Sequence, residues 1–519
     1  MIRKILYFMD NYRSLGGAAN TLLRQAILMR HIGKTVIVAV SNDGINQVCE
    51  DYLKICAQED IPTYEQKFSV ANQPEGVSLF SILENYDQIK AFIDLQKPDI
   101  VHSVQLNPTV ELVCRELKLP HVMNIYQALP EFFVFPYPDI FARFHICDSQ
   151  CYAAFWKKYL KTKSYCVRTV AQREKKRERH NFAENLRFIC VGQLCERKNQ
   201  LEVMKAFRLA VKRGLKGTLE IWGHVDSSYA DKCQQYISDH MLGNYISIKG
   251  FSDDLENIYQ ECDALICGST SESYPNVVSE ALANQVIVIT TPVAGVPEII
   301  RDRENGYLCK GYSAECIADK IMVFEQDIRT GAIKKVWSHA NDTYDRVHSP
   351  IAVTESLIKT YDEILLEYRQ KSCSLYTIED LKEEFKETID CFLKYRDQFT
   401  DEAFIKMNLW KIHFVVLCLK RTGLNKNQGF YIWGTGKLGG YYKEIIEIFA
   451  PDIRISGFID SYKTGDYMGY QIVPPKDILR GPKKTLLLGV FRAEEIIETL
   501  RKSDYRYGTD YFKFEQIPW

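Results

Sequence analysis

The chain has 519 residues, of which 46% are hydrophobic and 26% charged, a composition that fits a globular protein of two or three domains. Its 66 lysines and arginines nearly balance its 67 aspartates and glutamates, so no overall field favours nucleic acid or a strongly acidic partner. The 16 cysteines include no CxxC pair, which indicates reduced thiols and argues against a disulfide framework or a zinc site.

The N-terminus and the apolar runs do not have the features of export or membrane insertion. The first apolar run ends at Asp10, which makes it too short for the core of a signal peptide. Longer apolar runs, such as 414–419, fall below the roughly 18 residues that a membrane-spanning helix needs. We therefore expect a cytoplasmic protein, and contact with the inner face of a membrane is left open.

Apolar strands alternate with amphipathic helices in the first third of the chain, which predicts a parallel sheet with right-handed crossovers. Between the first strand and helix, Gly16 and Gly17 allow a phosphate to approach a helix N-terminus, but they serve a tight turn equally well. The strands are expected at residues 4–9, 35–40, 98–104 and 121–126.

Residues 157–179 form a basic run, with ten lysines and arginines against Glu174 and Glu178. One interpretation is a solvated linker between domains. The other is a surface for anionic lipid headgroups or a polyanionic acceptor.

A second alternating unit runs from about residue 186 to 308 and is followed by a helix at 350–368. Two such units in series predict a cleft between two sheets. Ligands of these sheets bind beyond the carboxyl ends of the strands.

The remainder of the chain predicts a helical segment and a small third unit. An amphipathic helix that Thr377 can cap is expected to pack within the chain or between subunits, through Ile378, Leu381, Phe385, Ile389 and Phe392, and further helix is expected to about residue 421. From about Gln428 onward, a strand, a glycine-rich turn and a helix resemble a dinucleotide fingerprint, with Gly434, Gly436, Gly439 and Asp460. This unit either binds a nucleotide or keeps the architecture and serves assembly.

The stretch SESYPNVVSEALA combines two glutamates with a predicted helix start. Pro275 suits the first turn, and an anion is favoured at the backbone N–H groups that follow, those of Asn276, Val277 and Val278. Lys198 follows the first strand of the same unit, so it is expected at the same edge of the sheet. Together with the helix it predicts a diphosphate site, in which Glu272 faces the attached group and Glu280 accepts hydrogen bonds from a vicinal diol.

Several ordered patches over both units carry a family resemblance: PDIVHS at 98–103, VGQLCERKN at 191–199, SESYPNVVSEALA at 271–283 and GVPEII at 295–300. Residues 1 to about 370 resemble retaining glycosyltransferases of family 4, which have the GT-B fold of two Rossmann-like domains facing a cleft. The two glutamates resemble that family's E-x7-E motif.

The resemblance implies transfer of a sugar from a nucleotide diphosphate sugar, UDP-sugar above all, to an acceptor hydroxyl with retention and without a metal or other cofactor. Glu272 and Lys198 are the implied catalytic residues; Lys198 would neutralise the diphosphate, Glu272 would hold the sugar and Glu280 the ribose. The implied donor-binding residues are Gly16, Gly17, Gln193, Arg197, Lys198, Gly250, Phe251, Glu272, Tyr274, Pro275, Asn276, Val277, Val278 and Glu280.

Two positions depart from the family pattern. Gln193 stands where the family usually has an arginine that shares the phosphates with the lysine; either Arg197 substitutes for it or phosphate binding is weaker. Tyr126 stands near a position where the family often has a histidine, and His102 is the fallback for that contact.

The expected organisation is an acceptor-side domain at 1–170, a donor-side domain at 171–370, a helical linker at 371–427 and a small Rossmann-like α/β domain at 428–519. The last helix of the donor-side domain is expected to pack back on the first domain. The terminal domain resembles units attached to bacterial sugar-modifying enzymes, which points to a glycan, glycolipid or glycoprotein acceptor of a surface-polysaccharide type pathway. The alternative is a catalytically lapsed GT-B protein that serves assembly or senses a nucleotide.

Overall fold

A computed structural model of the chain describes residues 2–9, 17–42, 50–68, 79–105, 107–126, 143–160, 163–173, 182–225, 228–252, 254–370, 376–384, 386, 429–449, 451–490, 493–506 and 510–513. Gly16, Lys161 and residues 174–179 of the basic run, Phe385, Ile389 and Phe392 of the expected helical stripe, and the further helix expected to about residue 421 lie outside them.

The first sheet has seven parallel strands, and helices cover both of its faces. Its strands are β1 Lys4–Met9, β2 Thr35–Ser41, β3 Thr63–Gln66, β4 Ile100–Val104, β5 His121–Asn124, β6 Phe144–Cys147 and β7 Lys163–Cys166. Its helices are α1 Gly17–His31, α2 Glu50–Gln58, α3 Leu79–Gln96, α4 Pro108–Glu116 and α5 Gln150–Leu160. The strand order is β3-β2-β1-β4-β5-β6-β7. Burial on both faces explains why the inner strands β1, β2 and β4 are largely apolar runs in the sequence, whereas the edge strands β3 and β7 are partly exposed and more polar.

The central sheet has six parallel strands: β8 Leu186–Val191, β9 Gly217–Trp222, β10 Ile246–Gly250, β11 Ala264–Cys267, β12 Ile287–Thr290 and β13 Tyr307–Leu308. Its helices are α6 Gln200–Lys212, α7 Ser228–Asp239, α8 Leu255–Glu261, α9 Asn276–Ala283, α10 Ala314–Thr330 and α11 Ile333–Val347, with 3₁₀ turns at Glu196–Lys198 and Val296–Glu298. The order β10-β9-β8-β11-β12-β13 reverses direction next to β8. Such a switch point creates a crevice at the carboxyl ends of the strands, here between β8 and β11.

Helix α12, Pro350–Gln370, follows the central sheet but packs on the first one. Its Leu357 and Tyr361 belong to the same buried apolar cluster as Ile5 and Tyr7 of β1. The hydroxyls of Tyr7 and Tyr361 lie 2.9 Å apart, within hydrogen-bonding distance. We call the first sheet with its helices the N-terminal body, and the central sheet with its helices the central body. The chain therefore crosses between these two bodies twice, and the N-terminal body includes α12, which is distant from it in sequence.

The helical segment begins as the sequence predicts. Helix α13 spans Ile378–Glu384, and the Thr377 hydroxyl accepts a hydrogen bond from the Asp380 N–H at 3.2 Å, which confirms the cap. Ile378 and Leu381 are buried in the core of the first sheet, so this part of the stripe packs within the chain.

The C-terminal sheet has six strands: β14 Phe430–Trp433, β15 Ile455–Ile459, β16 Gly465–Tyr467, β17 Tyr470–Val473, β18 Leu486–Leu488 and β19 Tyr511–Lys513. Its helices are α14 Lys437–Phe449, α15 Pro475–Leu479 and α16 Glu494–Lys502. The order is β16-β17-β15-β14-β18-β19, all parallel except the β16–β17 hairpin. This confirms the predicted third Rossmann-like unit. None of the helices in the described ranges has both the length and the apolarity required to cross a bilayer.

Candidate functional site

Lys198 and Glu272 meet at the crevice between β8 and β11. Lys198 ends the 3₁₀ turn after β8, and Glu272 lies in the loop between β11 and α9. The Lys198 Nζ is 2.7 Å from Glu272 Oε1, and the Arg197 Nη1 is 2.5 Å from the same oxygen. Lys198 extends over Gly192, where an added Cβ would come within 3.3 Å of Lys198 Cε. One carboxylate is therefore shared by two cations beside a glycine that leaves room for the lysine.

Backbone hydrogen bonds hold the two loops in register. The Thr270 N–H donates to the Arg197 carbonyl at 2.9 Å, and the Arg197 guanidinium donates to the Ser271 carbonyl at 3.0 Å. Asn199, in the left-handed region at φ 60°, donates its side-chain N–H to the Gly268 carbonyl at 3.1 Å. The cations are thus positioned by the main chain of the loop that carries Glu272.

Helix α9 begins one residue later than the sequence predicts. Pro275 precedes the helix with an extended backbone, because its φ of −71° and ψ of 119° fit the N-cap better than the first turn. The Val278 N–H donates to the Pro275 carbonyl at 3.0 Å, so the prediction that it is free for an anion is wrong. Among the described residues, the N–H groups of Asn276 and Val277 have no acceptor, so anion binding at these two groups stays a prediction.

Tyr274 is buried under this helix start. Its hydroxyl donates to His348 Nε2 at 2.9 Å, and both side chains are buried. Tyr274 can therefore make its predicted contact with the nucleotide-sugar donor only through its backbone.

A flat aromatic surface lies at the carboxyl ends of β9 and β10. Phe251 is 59% exposed and stacks on His224, with ring centroids 4.4 Å apart and an angle of 10° between the planes. The Gly250 carbonyl accepts the Gly223 N–H at 2.8 Å, and Gly250 has a φ of 84°, which favours glycine. The sequence indicated Gly250 and Phe251 but not His224, which follows β9 at the same sheet edge.

Glu280 faces the N-terminal body. Its Oε1 is 3.5 Å from Arg24 Nη2 on α1, and its Oε2 accepts the Tyr259 hydroxyl at 3.4 Å. These residues border a cavity of about 570 Å³ that also reaches Val170 and Pro350, where the chain crosses between the bodies. Arg24 was not predicted, because no local pattern relates it to a glutamate 256 residues away.

Gly17 lies across the cleft from the start of α9. Its carbonyl accepts the Asn276 side-chain N–H at 3.5 Å. Gln193, by contrast, has an exposed side chain, and its backbone carbonyl accepts the Gln200 amide at 2.9 Å. Arg197, by comparison, pairs directly with Glu272.

Tyr126 and His102 belong to a buried hydrogen-bond network. Asn124 donates its side-chain N–H to the Tyr126 hydroxyl at 2.6 Å and accepts from His102 Nε2 at 2.8 Å. Tyr361 on α12 donates to His102 Nδ1 at 2.6 Å. Burial lowers the pKa of His102 to about 3, so the ring is neutral and structural. The fallback role of His102 at the donor site is therefore wrong.

Most described cations of the basic run have internal partners. Lys163 pairs with Glu367 at 2.5 Å, and Arg168 pairs with Glu298 at 2.6 Å. Arg173 donates to the Ala283 carbonyl at the end of α9 at 2.8 Å. The Lys163 pair lies within the N-terminal body, whereas the Arg168 pair joins the two bodies. A membrane or polyanion contact of this run therefore stays a prediction for Lys157 and Lys158, which are exposed, and for residues outside the described ranges.

The glycine-rich turn of the C-terminal sheet is closed by Asp460. Its carboxylate accepts hydrogen bonds from the Thr435 hydroxyl at 2.6 Å, the Tyr462 N–H at 2.9 Å and the Lys463 N–H at 3.1 Å. A Cβ on Gly439 would lie 2.0 Å from the Gly434 carbonyl, whereas Gly436 has nothing within 4 Å. Gly434 and Gly439 thus serve close packing, and nucleotide binding at Gly436 and Asp460 stays a prediction.

The part of the sequence that forms most of the central body matches a known protein family. Residues 172–333 match the family of glycosyl transferases group 1. Similar curated proteins include poly(glycerol-phosphate) alpha-glucosyltransferase of Bacillus subtilis, 28% identical over 149 residues, which are 28% of this chain and 22% of that protein. The capsular polysaccharide biosynthesis glycosyltransferase CapM of Staphylococcus aureus is 25% identical over 182 residues, 35% of this chain and 47% of that protein. The chain therefore spans less than half the length of either relative.

Solved structures cover more of the chain. A glycosyltransferase from Rickettsia africae resembles it with a TM-score of 0.59 and 20% identity, over 70% of this chain and 99% of that one. Anabaena HepE in complex with UDP resembles it with a TM-score of 0.56 and 17% identity, over 69% of this chain and all of that one, 100%. These likenesses show the fold, and the predicted GT-B architecture is confirmed.

Proposed function

We propose that this chain is a retaining, metal-independent glycosyltransferase of family 4. It transfers a sugar from a UDP-sugar to an acceptor hydroxyl on a glycan, glycolipid or glycoprotein of a bacterial surface-polysaccharide type pathway. The observation that carries this proposal is the convergence of Lys198, Arg197 and Glu272 beside the start of α9, inside the segment that matches glycosyl transferases group 1.

The leaving diphosphate would bind between the two cations and the helix. Lys198 and Arg197 supply two positive charges, and the N–H groups of Asn276 and Val277 supply hydrogen bonds along the helix dipole. These groups are preorganised for the charge that develops as the sugar–phosphate bond breaks, a role a metal ion plays elsewhere. This arrangement supports metal independence.

The remaining donor contacts follow the same edge of the sheet. Phe251, stacked on His224, offers an apolar face to the base, and Glu280 offers carboxylate oxygens to the ribose hydroxyls. Two solved structures of one protein with a similar fold support a uridine donor by analogy, since HepE is described in complex with UDP and with UDP-glucose. The name of CapM supports a polysaccharide acceptor in the same way.

Glu272 would hold hydroxyls of the donor sugar. Because its carboxylate lies beside two cations and would accept hydrogen bonds from the sugar hydroxyls, it is a weak nucleophile, which supports a mechanism without a covalent sugar–enzyme intermediate. In that mechanism the bond from the anomeric carbon to the phosphate oxygen breaks and a bond to the acceptor oxygen forms on the same face. The acceptor proton passes to the departing phosphate oxygen, and no protein base is required.

Release of nucleoside diphosphate from UDP-, GDP- and ADP-sugars, with chelator present throughout, tests the proposal. We expect release from one donor that is insensitive to chelator and falls at least about 100-fold in Lys198→Ala. Lys216→Ala is the matched control, because Lys216 is an exposed lysine of the same body that pairs with Glu184.

If the protein binds nucleotide but releases no nucleoside diphosphate with any tested donor and acceptor, the result would instead support a catalytically lapsed GT-B protein that senses nucleotide. If the protein neither binds nucleotide nor releases nucleoside diphosphate, both of these functions are contradicted, and a role in assembly is favoured.

A further inference from the structure

Asp148 is a buried carboxylate at the edge of the first sheet that faces the cleft. It follows β6 directly, and its side chain is 3% exposed. The carboxyl ends of parallel strands form the ligand-binding edge of such a sheet. A buried carboxylate needs a partner, and Asp148 finds its partner in the other body.

The partner is the β11–α9 loop, residues 268–275. The Ser273 hydroxyl donates to Asp148 Oδ1, and Ser273 is itself buried. The Tyr152 hydroxyl on α5 donates to the Glu272 carbonyl at 3.0 Å. Two side chains of the N-terminal body thus hold the Glu272 backbone and the side chain of the residue that follows it.

A second group of contacts fixes Asp148 and α5 against the central body. The Glu298 carboxylate accepts the N–H groups of Gln150 and Cys151, both at 2.8 Å, at the start of α5. Arg168 donates to Glu298 at 2.6 Å and to the Asp148 carbonyl at 2.8 Å. The junction is therefore anchored independently of the Asp148 side chain, which makes a substitution there informative.

We propose that Asp148 is a positioning residue: through Ser273 it couples closure of the two bodies to the placement of Glu272 against the donor sugar. This inference rests on the proposed function for the identity of the group that Glu272 holds. The geometric part, that Asp148 orders the β11–α9 loop, stands without it.

The charge of Asp148 adds a pH dependence. Burial raises its pKa to about 7, while the Ser273 hydrogen bond and the charge of Arg168 act in the opposite direction. Above that pH the serine donates to a carboxylate, and below it to a neutral acid, which is the weaker acceptor. Among the residues that the structure describes, the other titratable groups that interact with Asp148 are Glu272, Tyr126, Tyr274, Cys147 and Cys166.

Three variants separate these roles. Ser273→Ala removes the hydrogen bond, and Asp148→Asn keeps an acceptor oxygen but cannot ionise. Thr169→Val is the matched control: it removes a buried hydrogen bond between the bodies, from Thr169 to Ser279 at 3.3 Å, that does not touch the loop.

In turnover assays we expect Ser273→Ala to lower kcat about fivefold with little change in the KM for donor. The ratio of wild-type kcat to that of Asp148→Asn should rise about fivefold from pH 6 to pH 8, with its midpoint near the pKa of Asp148. Parallel pH profiles of the two proteins would overturn the coupling to Glu272, and so would an equal loss in Thr169→Val.

Hydrogen exchange tests the same inference without turnover. We expect the amides of residues 269–276 to exchange about fivefold faster in Ser273→Ala than in wild type, and at the wild-type rate in Thr169→Val. Unchanged exchange in Ser273→Ala would refute the role of Asp148. Faster exchange in a protein that releases no nucleoside diphosphate would refute the proposed function and leave the junction supported.

Discussion

At the scale of single residues, Glu272 is the group whose environment says most about the site. Its side chain is 12% exposed and is shared by Arg197 and Lys198 at 2.5 and 2.7 Å. A negative charge in that position offsets two positive ones, so the site carries a net charge of about +1 before a diphosphate binds. A donor diphosphate would therefore compete with Glu272 for the cations and free carboxylate oxygens for the sugar hydroxyls.

This competition predicts the effect of Glu272→Gln. The amide keeps one acceptor oxygen but no charge, so we expect nucleoside diphosphate to bind at least as tightly as in wild type and kcat to fall about 100-fold or more. Calorimetry and turnover with the preferred donor measure the two quantities. Glu184→Gln, which alters an exposed pair with Lys216, is the control. Unchanged kcat in Glu272→Gln would contradict the role given to this residue.

The sequence predicted these contacts within one body better than those between bodies. Lys198 and Glu272 each follow a strand of one parallel sheet, and β8 lies beside β11, so their meeting is a consequence of topology. The pairs Arg24–Glu280 and Asp148–Ser273 instead depend on how two separately formed bodies dock. The sequence did contain one indication of Asp148, a carboxylate directly after an apolar strand, just as Lys198 was indicated by its place in the loop after a strand.

At the scale of elements, α12 shows how one helix can serve a body to which it is not adjacent in sequence. Leu357 is fully buried against the core of the first sheet, while Leu366 on the same helix is 60% exposed. Its amphipathic face thus matches a distant partner, and the alternation of strands and helices alone could predict the helix but not the body that it covers.

The two leucines of α12 give a matched pair of substitutions. We expect Leu357→Ala to lower the free energy of unfolding by about 2–5 kcal/mol, because it leaves a cavity in a packed core. Leu366→Ala should change it by less than about 0.5 kcal/mol, since both residues favour helix and the site is exposed. Urea denaturation followed by circular dichroism measures both, and similar losses would contradict the observed orientation of the helix.

At the scale of the whole molecule, buried histidines set the response to acid. Burial lowers the pKa of His102 and His145 to about 3 and that of His348 to about 4. In the unfolded chain these groups bind protons below about pH 6.5, so each destabilises the fold as the pH falls below that value. Asp148 acts in the opposite sense, because its raised pKa lets the folded state hold a proton that the unfolded state releases.

We therefore expect stability to fall as the pH decreases from about 6.5 toward 4. Unfolding in this range takes up about three protons at the histidines and releases about one from Asp148, a net uptake of about two protons. This uptake lowers the free energy of unfolding by at most about 3 kcal/mol per pH unit. The urea midpoint measured at pH 7, 6 and 5 tests this expectation. In His348→Asn, the net proton uptake on unfolding, obtained from the slope of stability against pH, should be smaller by about one proton. A midpoint that does not move between pH 7 and pH 5 would contradict the assignment of neutral, buried histidines.

The return of α12 also bears on synthesis by the ribosome. The core of the first sheet includes Val353, Leu357 and Ile364, so that body lacks one of its walls until roughly two thirds of the chain has been translated. The central body needs only residues up to Val347 of α11, all contiguous in sequence. Because domains fold as their residues emerge, we expect the second body in the chain to be the first to reach its final form, while the N-terminal body stays incomplete until α12, and then α13, has been translated.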